Sequence, residues 1–354
     1  MNIAKYLISR NASLRIALQK LNELSGGEMT LFVLEDDKSR HLSGTLTNGD
    51  VRRALLAGAT LDSEVSIAMH KDYKRLYAHV PDNVNNIRVI RSLGITLVPI
   101  VDTDDNLVDI VDLNTCPTVL PLRAILMAGG KGERLRPMTL TVPKPLLEID
   151  GKAIIDYNIE ALARCGINDI TVCAGYMAES IQRHFTKPVA GVQVKCVAED
   201  QSLGTIGAAS LISHPSNGCT LVMNSDLLTT ISFEDMYIKH RDTKADITVG
   251  VIPYQVSVPY AILTTDGDNV VSIKEKPAYS HYANAGIYIF SNEILNSLNH
   301  SERIDATDVI ERAIEDGLQV GYYVINGTWI DIGSPVDFRQ AQELMRHHRN
   351  LSKS

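Results

Sequence analysis

An apolar run from Leu122 to Met127 leads directly into Ala128-Gly129-Gly130-Lys131-Gly132, then Arg134, Arg136 and the triplet Pro143-Lys144-Pro145. A strand that ends in a glycine-rich turn brings its backbone close to whatever binds there. Free amides beside fixed positive charge suit a polyphosphate. From Lys131 to Lys144 there are four basic residues and one acidic one, in a chain of 354 residues whose formal net charge is −8. The local sign opposes the overall one, so this segment is built for an anion. Prolines on both sides of Lys144 fix their own φ angles and make the lysine a rigidly placed charge.

The chain beyond this segment restricts the fold further. Strand patterns at 122–127, 169–174, 192–198, 219–223 and 246–252 alternate with helical ones at 153–165, 178–185, 205–213 and 232–242. That alternation predicts an α/β domain with a mainly parallel sheet covered on both faces. A hairpin is expected over 258–265 and 269–275, turning at Asp266-Gly267-Asp268. A strand at 283–290 and a helix at 305–316 come next, and Ser334-Pro335 opens a terminal helix reaching about residue 348.

Residues 1–113 read differently. Met29 to Asp37 followed by His41 to Thr47 resembles Ile95 to Asp102 followed by Asn106 to Asp112. Each copy is a strand, an acidic turn and a second strand, preceded by a helical pattern (Ser13 to Leu24; Val84 to Leu93). Neither copy can bury its own apolar face, so the two should pack together. Residues 114–121, with Pro117 and no clear period, read as a linker to a second domain at 122–354.

Composition excludes several classes. The acidic balance argues against nucleic acid as a general partner, and no apolar run approaches the roughly 20 residues of a membrane span. We expect no export signal at the N-terminus. Five cysteines without a C-x-x-C pair indicate buried thiols in a reducing compartment, hence the cytoplasm.

Two nucleotide-loop readings of the glycine segment fail. A dinucleotide fingerprint starting at Gly130 needs a small residue where Leu135 stands, and a P-loop needs Ser or Thr where Gly132 stands. Four later stretches complete a set with it: Glu199-Asp-Gln-Ser-Leu203-Gly204-Thr205-Ile-Gly-Ala208, Asn224-Ser-Asp226, Lys274-Glu275-Lys276-Pro277 and Gly327-Thr-Trp-Ile-Asp331-Ile-Gly-Ser-Pro335. In order and spacing the five resemble the sugar-phosphate nucleotidyltransferase family. The resemblance implies a Rossmann-like, GT-A-like domain that joins an NTP to a sugar 1-phosphate. It implies that Ala128, Gly129, Gly130, Lys131 and Gly132 wrap the triphosphate, with Arg134 and Lys144 facing its phosphates. Asp226 and Asp331 become Mg²⁺ ligands, a sufficient set because Mg²⁺ takes one or two carboxylates plus waters and phosphates. Glu275 would bind sugar hydroxyls and Lys276 the sugar phosphate, with Tyr260, Ala261 and Asn284 lining that pocket. Ser225 and Ala261 each stand where the family usually has glycine, and Ala261 puts the sugar's identity in question.

Glu199, Leu203, Gly204 and Thr205 resemble the family's base-recognition stretch. A carboxylate such as Glu199 can accept from both N1–H and N2–H of guanine, whereas uracil and thymine offer one ring donor. GTP is therefore favoured, while cytosine's exocyclic amine also suits the site. Gly44-Thr-Leu-Thr47-Asn-Gly-Asp50 matches the nucleotide motif of CBS domains, so the N-terminal repeat resembles an α+β CBS-domain pair. The second copy places Asp109 and Asp112 at the matching positions, leaving one adenine-nucleotide site at most, or a pair that serves only to associate subunits into a homo-oligomer. As a whole the chain resembles the CBS-containing guanylyltransferases of legionaminic acid-type pathways, which make GDP-glucosamine from glucosamine 1-phosphate. Mannose- or heptose-1-phosphate guanylyltransferases, UTP-, dTTP- or CTP-dependent relatives, and a catalytically silent nucleotide sensor are the alternatives.

Overall fold

The computed structural model describes residues 3–24, 29–78, 80, 82–300 and 302–351. They form two compact units, Met1–Pro121 with Arg164–Gly166, and Leu122–Ala163 with Ile167–Ser354.

In the first unit the elements are β1 (Leu7–Ser9), α1 (Leu14–Glu23), β2 (Thr30–Leu34), β3 (Leu42–Thr47), α2 (Asn48–Leu56), β4 (Leu76–Tyr77), α3 (Val84–Ser92), β5 (Leu97–Val101) and β6 (Leu107–Asp112). They make two three-stranded sheets, β1-β2-β3 and β4-β5-β6. Each has one parallel and one antiparallel pairing, so the sequence repeat is also a repeat of topology. Leu42 N donates to Asp105 O (2.9 Å) and Leu107 N to Arg40 O (2.7 Å), tying the copies together. Leu31, Phe32 and Leu46 of the first copy share one core with Val101 and Ile110 of the second. Helix α2 is not among the elements expected from the sequence. It starts at the nucleotide-like motif, where Thr47 and Asp50 cap it reciprocally. Asp50 also pairs with Arg53, and a Cβ on Gly44 would lie 2.8 Å from His70 O.

The second unit contains β7 (Leu122–Ala128), β8 (Glu148–Ile149), β9 (Lys152–Ala153), α4 (Ile154–Arg164), β10 (Ile170–Ala174), α5 (Ala178–His184), β11 (Lys195–Ala198) and β12 (Cys219–Asn224). Next come β13 (Leu227–Thr229), α6 (Phe233–Asp242), β14 (Ile247–Ser257), β15 (Ile262–Asp266), β16 (Asn269–Lys274) and β17 (Ala278–Ser291). It closes with α7 (Asn292–Asn296), α8 (Ala306–Glu315), β18 (Val320–Val324), β19 (Trp329–Asp331) and α9 (Pro335–Leu351). Seven strands form one sheet in the order β11-β10-β7-β12-β17-β14-β18. Only the pairings of β17 with β12 and β14 are antiparallel. Strands β7 and β10 are buried along nearly their whole length, which explains their continuous apolar runs. The chain leaves β7 for β10 and β11 on one side, then returns to β12 on the other. This reversal opens a crevice beyond the carboxyl ends of β7 and β12, where ligands bind in such sheets.

Two expectations are corrected. The segment 205–213 is not an α-helix but a short 3-10 turn, Gly207–Leu211. Its Ile206, Ala208 and Ala209 are buried by packing against other elements, which imitates a helical pattern. Strands β14 and β17 also run well past 246–252 and 283–290, pairing from Val251 opposite Asn284 to Ser257 opposite Ala278. The β15–β16 hairpin stands beyond this exposed ribbon. Among the described residues no helix is long and apolar enough to cross a membrane.

Candidate active site

Aspartates 226 and 331 meet because of a two-stranded pairing that no sequence pattern announces. Strand β13 runs antiparallel to β19 with Leu227 opposite Asp331, and Ile332 N donates to Asp226 O (3.2 Å). Both carboxylates therefore lie at the mouth of the crevice. Lys144 stands between them, only 8% exposed, forming an ion pair with Asp226 and placing its Nζ 3.6 Å from Asp331 Oδ1. Burial and the neighbouring Asp226 charge push the Asp331 carboxyl above the usual aspartate range, against the opposing pull of Lys144 and Arg134. The Arg134 guanidinium packs where a Cβ on Gly333 would lie, 2.8 Å from Nη2, two residues past Asp331.

Asp226 Oδ1 and Asp331 Oδ1 are buried without a hydrogen-bond partner. Two buried carboxylate oxygens without a hydrogen-bond partner, at strands paired side by side, fit a hard divalent cation such as Mg²⁺. Among the described residues no group of three or more His, Cys, Asp or Glu is arranged to hold a metal.

The glycine loop borders the same cleft. A Cβ on Gly129 would lie 2.8 Å from Glu199 Oε1, so a larger residue there would push the Glu199 carboxylate aside. Gly130 faces open space and Lys131 is exposed. The Ala128 side chain is buried, leaving only its backbone to reach a ligand. At Gly132, φ is +61°, and its carbonyl accepts from Thr139 Oγ1 (2.8 Å). Burial raises the Glu199 carboxyl above its ordinary pKa, while one of its oxygens accepts from Leu203 N at 3.3 Å. The Leu203 side chain lies in the core, and Gly204 and Thr205 face the cleft. Ser225 is buried, and its hydroxyl donates to Met127 O (2.7 Å), stitching the ends of β12 and β7 together.

The expected sugar residues divide into two groups. Asn284 is near the crevice: its side chain accepts from Gly286 N (2.9 Å), and the next carbonyl, Ala285 O, accepts from Trp329 Nε1 (2.9 Å). Tyr260, Ala261, Glu275 and Lys276 are exposed and lie in the two segments that join the ribbon to the β15–β16 hairpin, where Val258 N donates to Pro277 O (3.0 Å). No hydrogen bond or ion pair among the described residues joins these four to the aspartate pair. Two further residues, Arg303 and Asp305, line the cleft with Gly129, Gly130 and Glu199. In the sequence Asp305 is legible only as the residue before an amphipathic helix.

Residues 123–348 match the family described as nucleotidyl transferase. The chain belongs to that family. Among other relatives of this nucleotidyl transferase, the mannose-1-phosphate guanylyltransferase catalytic subunit beta of Danio rerio is 31% identical over 226 residues, covering 61% of this chain and 62% of that protein. The D-glycero-alpha-D-manno-heptose 1-phosphate guanylyltransferase of Aneurinibacillus thermoaerophilus is 30% identical over 232 residues, covering 64% of this chain and 100% of that protein. The chain thus spans about 62% of the length of the zebrafish relative and the whole of the bacterial one. The solved structure of HddC from Yersinia pseudotuberculosis superposes with a TM-score of 0.50 at 25% identity, covering 63% of this chain and 99% of that one. The family match begins at residue 123, so Met1–Pro121 of the first unit lies outside it.

Proposed function

We propose that this protein is a sugar-1-phosphate guanylyltransferase that converts GTP and a hexose 1-phosphate into a GDP-sugar and pyrophosphate. The observation that carries this reading is the meeting of Asp226, Asp331 and Lys144 at the strand-reversal crevice, next to the glycine loop. A phosphate oxygen of the sugar 1-phosphate attacks the α-phosphorus, the α–β phosphoanhydride bond breaks, and pyrophosphate leaves with the electron pair. The attacking phosphate is already ionised at neutral pH, so no general base is required. The barrier is alignment and anion–anion repulsion, and fixed charge at the crevice lowers both. Asp226 and Asp331 would hold Mg²⁺, which when bound supplies Lewis-acid neutralisation of phosphate oxygens. Arg134 and Lys144 hold positive charge against the triphosphate, while Glu275 and Lys276 receive the acceptor.

Guanine is favoured by the Glu199 carboxylate beside the glycine loop and by the guanylyltransferase names of both relatives. For the acceptor we propose glucosamine 1-phosphate, from the resemblance of the whole chain. Mannose and heptose 1-phosphates stand beside it because the relatives carry those names. We further propose that the N-terminal unit binds an adenine nucleotide in the cleft lined by Thr45, Thr47, His70, Lys74 and Thr96.

Pyrophosphate release should be measured for four NTPs against these three sugar 1-phosphates. GTP is expected to be the best donor. Lys144→Ala and Asp226→Ala should each lower turnover by about 10²–10³. Silence with every pairing, or a wild-type rate in either variant, would reject the reading.

A further inference from the structure

Four hydrogen bonds join the loop after β11 to the start of α8. Leu203 O accepts from Ile304 N (3.0 Å), and Ile206 N donates to Ile304 O (3.4 Å). Thr205 N donates to Asp305 Oδ1 (2.8 Å), and Ala306 N donates to Thr205 Oγ1 (2.8 Å). The last two form an exchange. The Thr205 hydroxyl, about a hundred residues away in sequence, caps the first amide of α8. The Asp305 carboxylate holds the Thr205 amide while also serving as the N-cap of α8, in a reciprocal capping box with Asp308. Gly204, with φ at +84°, packs its Cα against Ile304 O so closely that any side chain would collide with that carbonyl. Asp305 N is itself held by Asp308 Oδ2 (3.0 Å), so the latch is anchored in the first turn of α8.

The loop held in this way, residues 199–207, forms one wall of the cleft; Gly129 and Gly130 form another. A loop with two glycines (Gly204 and Gly207) has no side-chain packing of its own at those positions to fix its path. A charge-assisted bond from a carboxylate to a backbone amide is among the stronger local restraints available. Because the Thr205 amide is taken by Asp305, the groups this wall offers a base are Ser202, Gly204's backbone and the Glu199 carboxylate.

We propose that Asp305 is a positioning residue for nucleotide recognition. It touches no reacting atom. It sets the distance between the Glu199–Gly207 wall and the glycine loop, and so governs affinity for GTP rather than for the acceptor. This inference rests on the guanylyltransferase reading, and direct GTP binding separates the two.

The test compares wild type, Asp305→Ala, Asp305→Asn and Thr205→Val in the full chain. Steady-state kinetics with GTP and the best sugar 1-phosphate would be combined with isothermal titration of GTP. Asp305→Ala should raise KM and Kd for GTP about tenfold, as expected for one lost charge-assisted bond, and leave the KM for the sugar 1-phosphate within about twofold. Asparagine keeps an Oδ1 acceptor of the same shape and should bring both GTP constants back to within about threefold of wild type. Thr205→Val removes the other half of the exchange and should show the same split between substrates. It decides the matter if Asp305→Ala fails to fold. The proposal is overturned by equal rises in both KM values, by unchanged GTP binding, or by an asparagine variant as impaired as alanine. If wild type binds GTP but releases no pyrophosphate, the guanylyltransferase reading falls and the tenfold Kd effect still tests the latch.

Discussion

Asp331 carries a cost to stability at the site proposed for Mg²⁺. Its carboxyl is raised above the ordinary value by burial first and by Asp226 second. An acid whose pKa is higher folded than unfolded opposes folding at neutral pH, and the penalty vanishes as pH falls through the raised value. Asp331→Asn should therefore raise the metal-free melting temperature at neutral pH, with the gap closing on acidification. Turnover should fall by about 10²–10³. Differential scanning fluorimetry across pH, paired with pyrophosphate release, checks both halves, and a lower neutral-pH melting temperature for the variant would refute the sign. Asp226 differs, because removing it would leave the 8%-exposed Lys144 with only the more distant Asp331. The sequence already marked both aspartates and Lys144 as charged residues beside strands or prolines. It carried no sign of Arg303 or Asp305, whose relation to the cleft depends on a loop about a hundred residues away.

Helix α6 packs against β14 through a buried histidine. His240, 6% exposed, lies with Nδ1 2.9 Å from Thr248 Oγ1. Burial pushes its pKa down from 6.5 to about 4, with Asp246 pulling weakly the other way. The unfolded chain takes up this proton below 6.5, whereas the folded one resists until about 4. Stability from this group is therefore complete above the unfolded pKa and is lost as pH falls between those values. The loss amounts to about 3 kcal/mol by the acid end. His240→Gln should flatten that part of the stability–pH curve measured by urea unfolding, and an unchanged acid limb would remove His240 as the cause. Long periodic elements such as α4, α6 and α8 were legible because a helix that buries one face repeats its apolar residues every three to four positions. The 3-10 turn at Gly207–Leu211 was misread because its apolar residues are buried by neighbours, not by its own periodicity. Strands β13 and β19 are three residues each, too short for any period to register.

The molecule combines a family-matched unit with an N-terminal repeat that lies outside the match. In that repeat Thr47 and Asp50 already have a structural role as the reciprocal cap of α2. If the cleft beside them also binds an adenine nucleotide, mass action must stabilise the fold. AMP, ADP or ATP at about a hundred times its dissociation constant should add about 2.7 kcal/mol, visible as a rise in melting temperature. No rise with any of the three would leave helix capping as the whole reason for the motif.

Residue order alone marked most of the alternating strands and helices, the basic glycine-rich loop and the N-terminal repeat. Each arises from local chemistry: apolar periodicity, glycine, proline and the spacing of charges. The resemblance had already grouped Asp226 with Asp331, but only the tertiary structure showed the strand pairing that brings them together, Lys144 standing between them, and the exchange of caps by Thr205 and Asp305. Those relations come from β13 pairing with β19 and from the 199–207 loop docking on α8. Both contacts span about a hundred residues, and no local pattern in the chain encodes which distant backbone will be its partner.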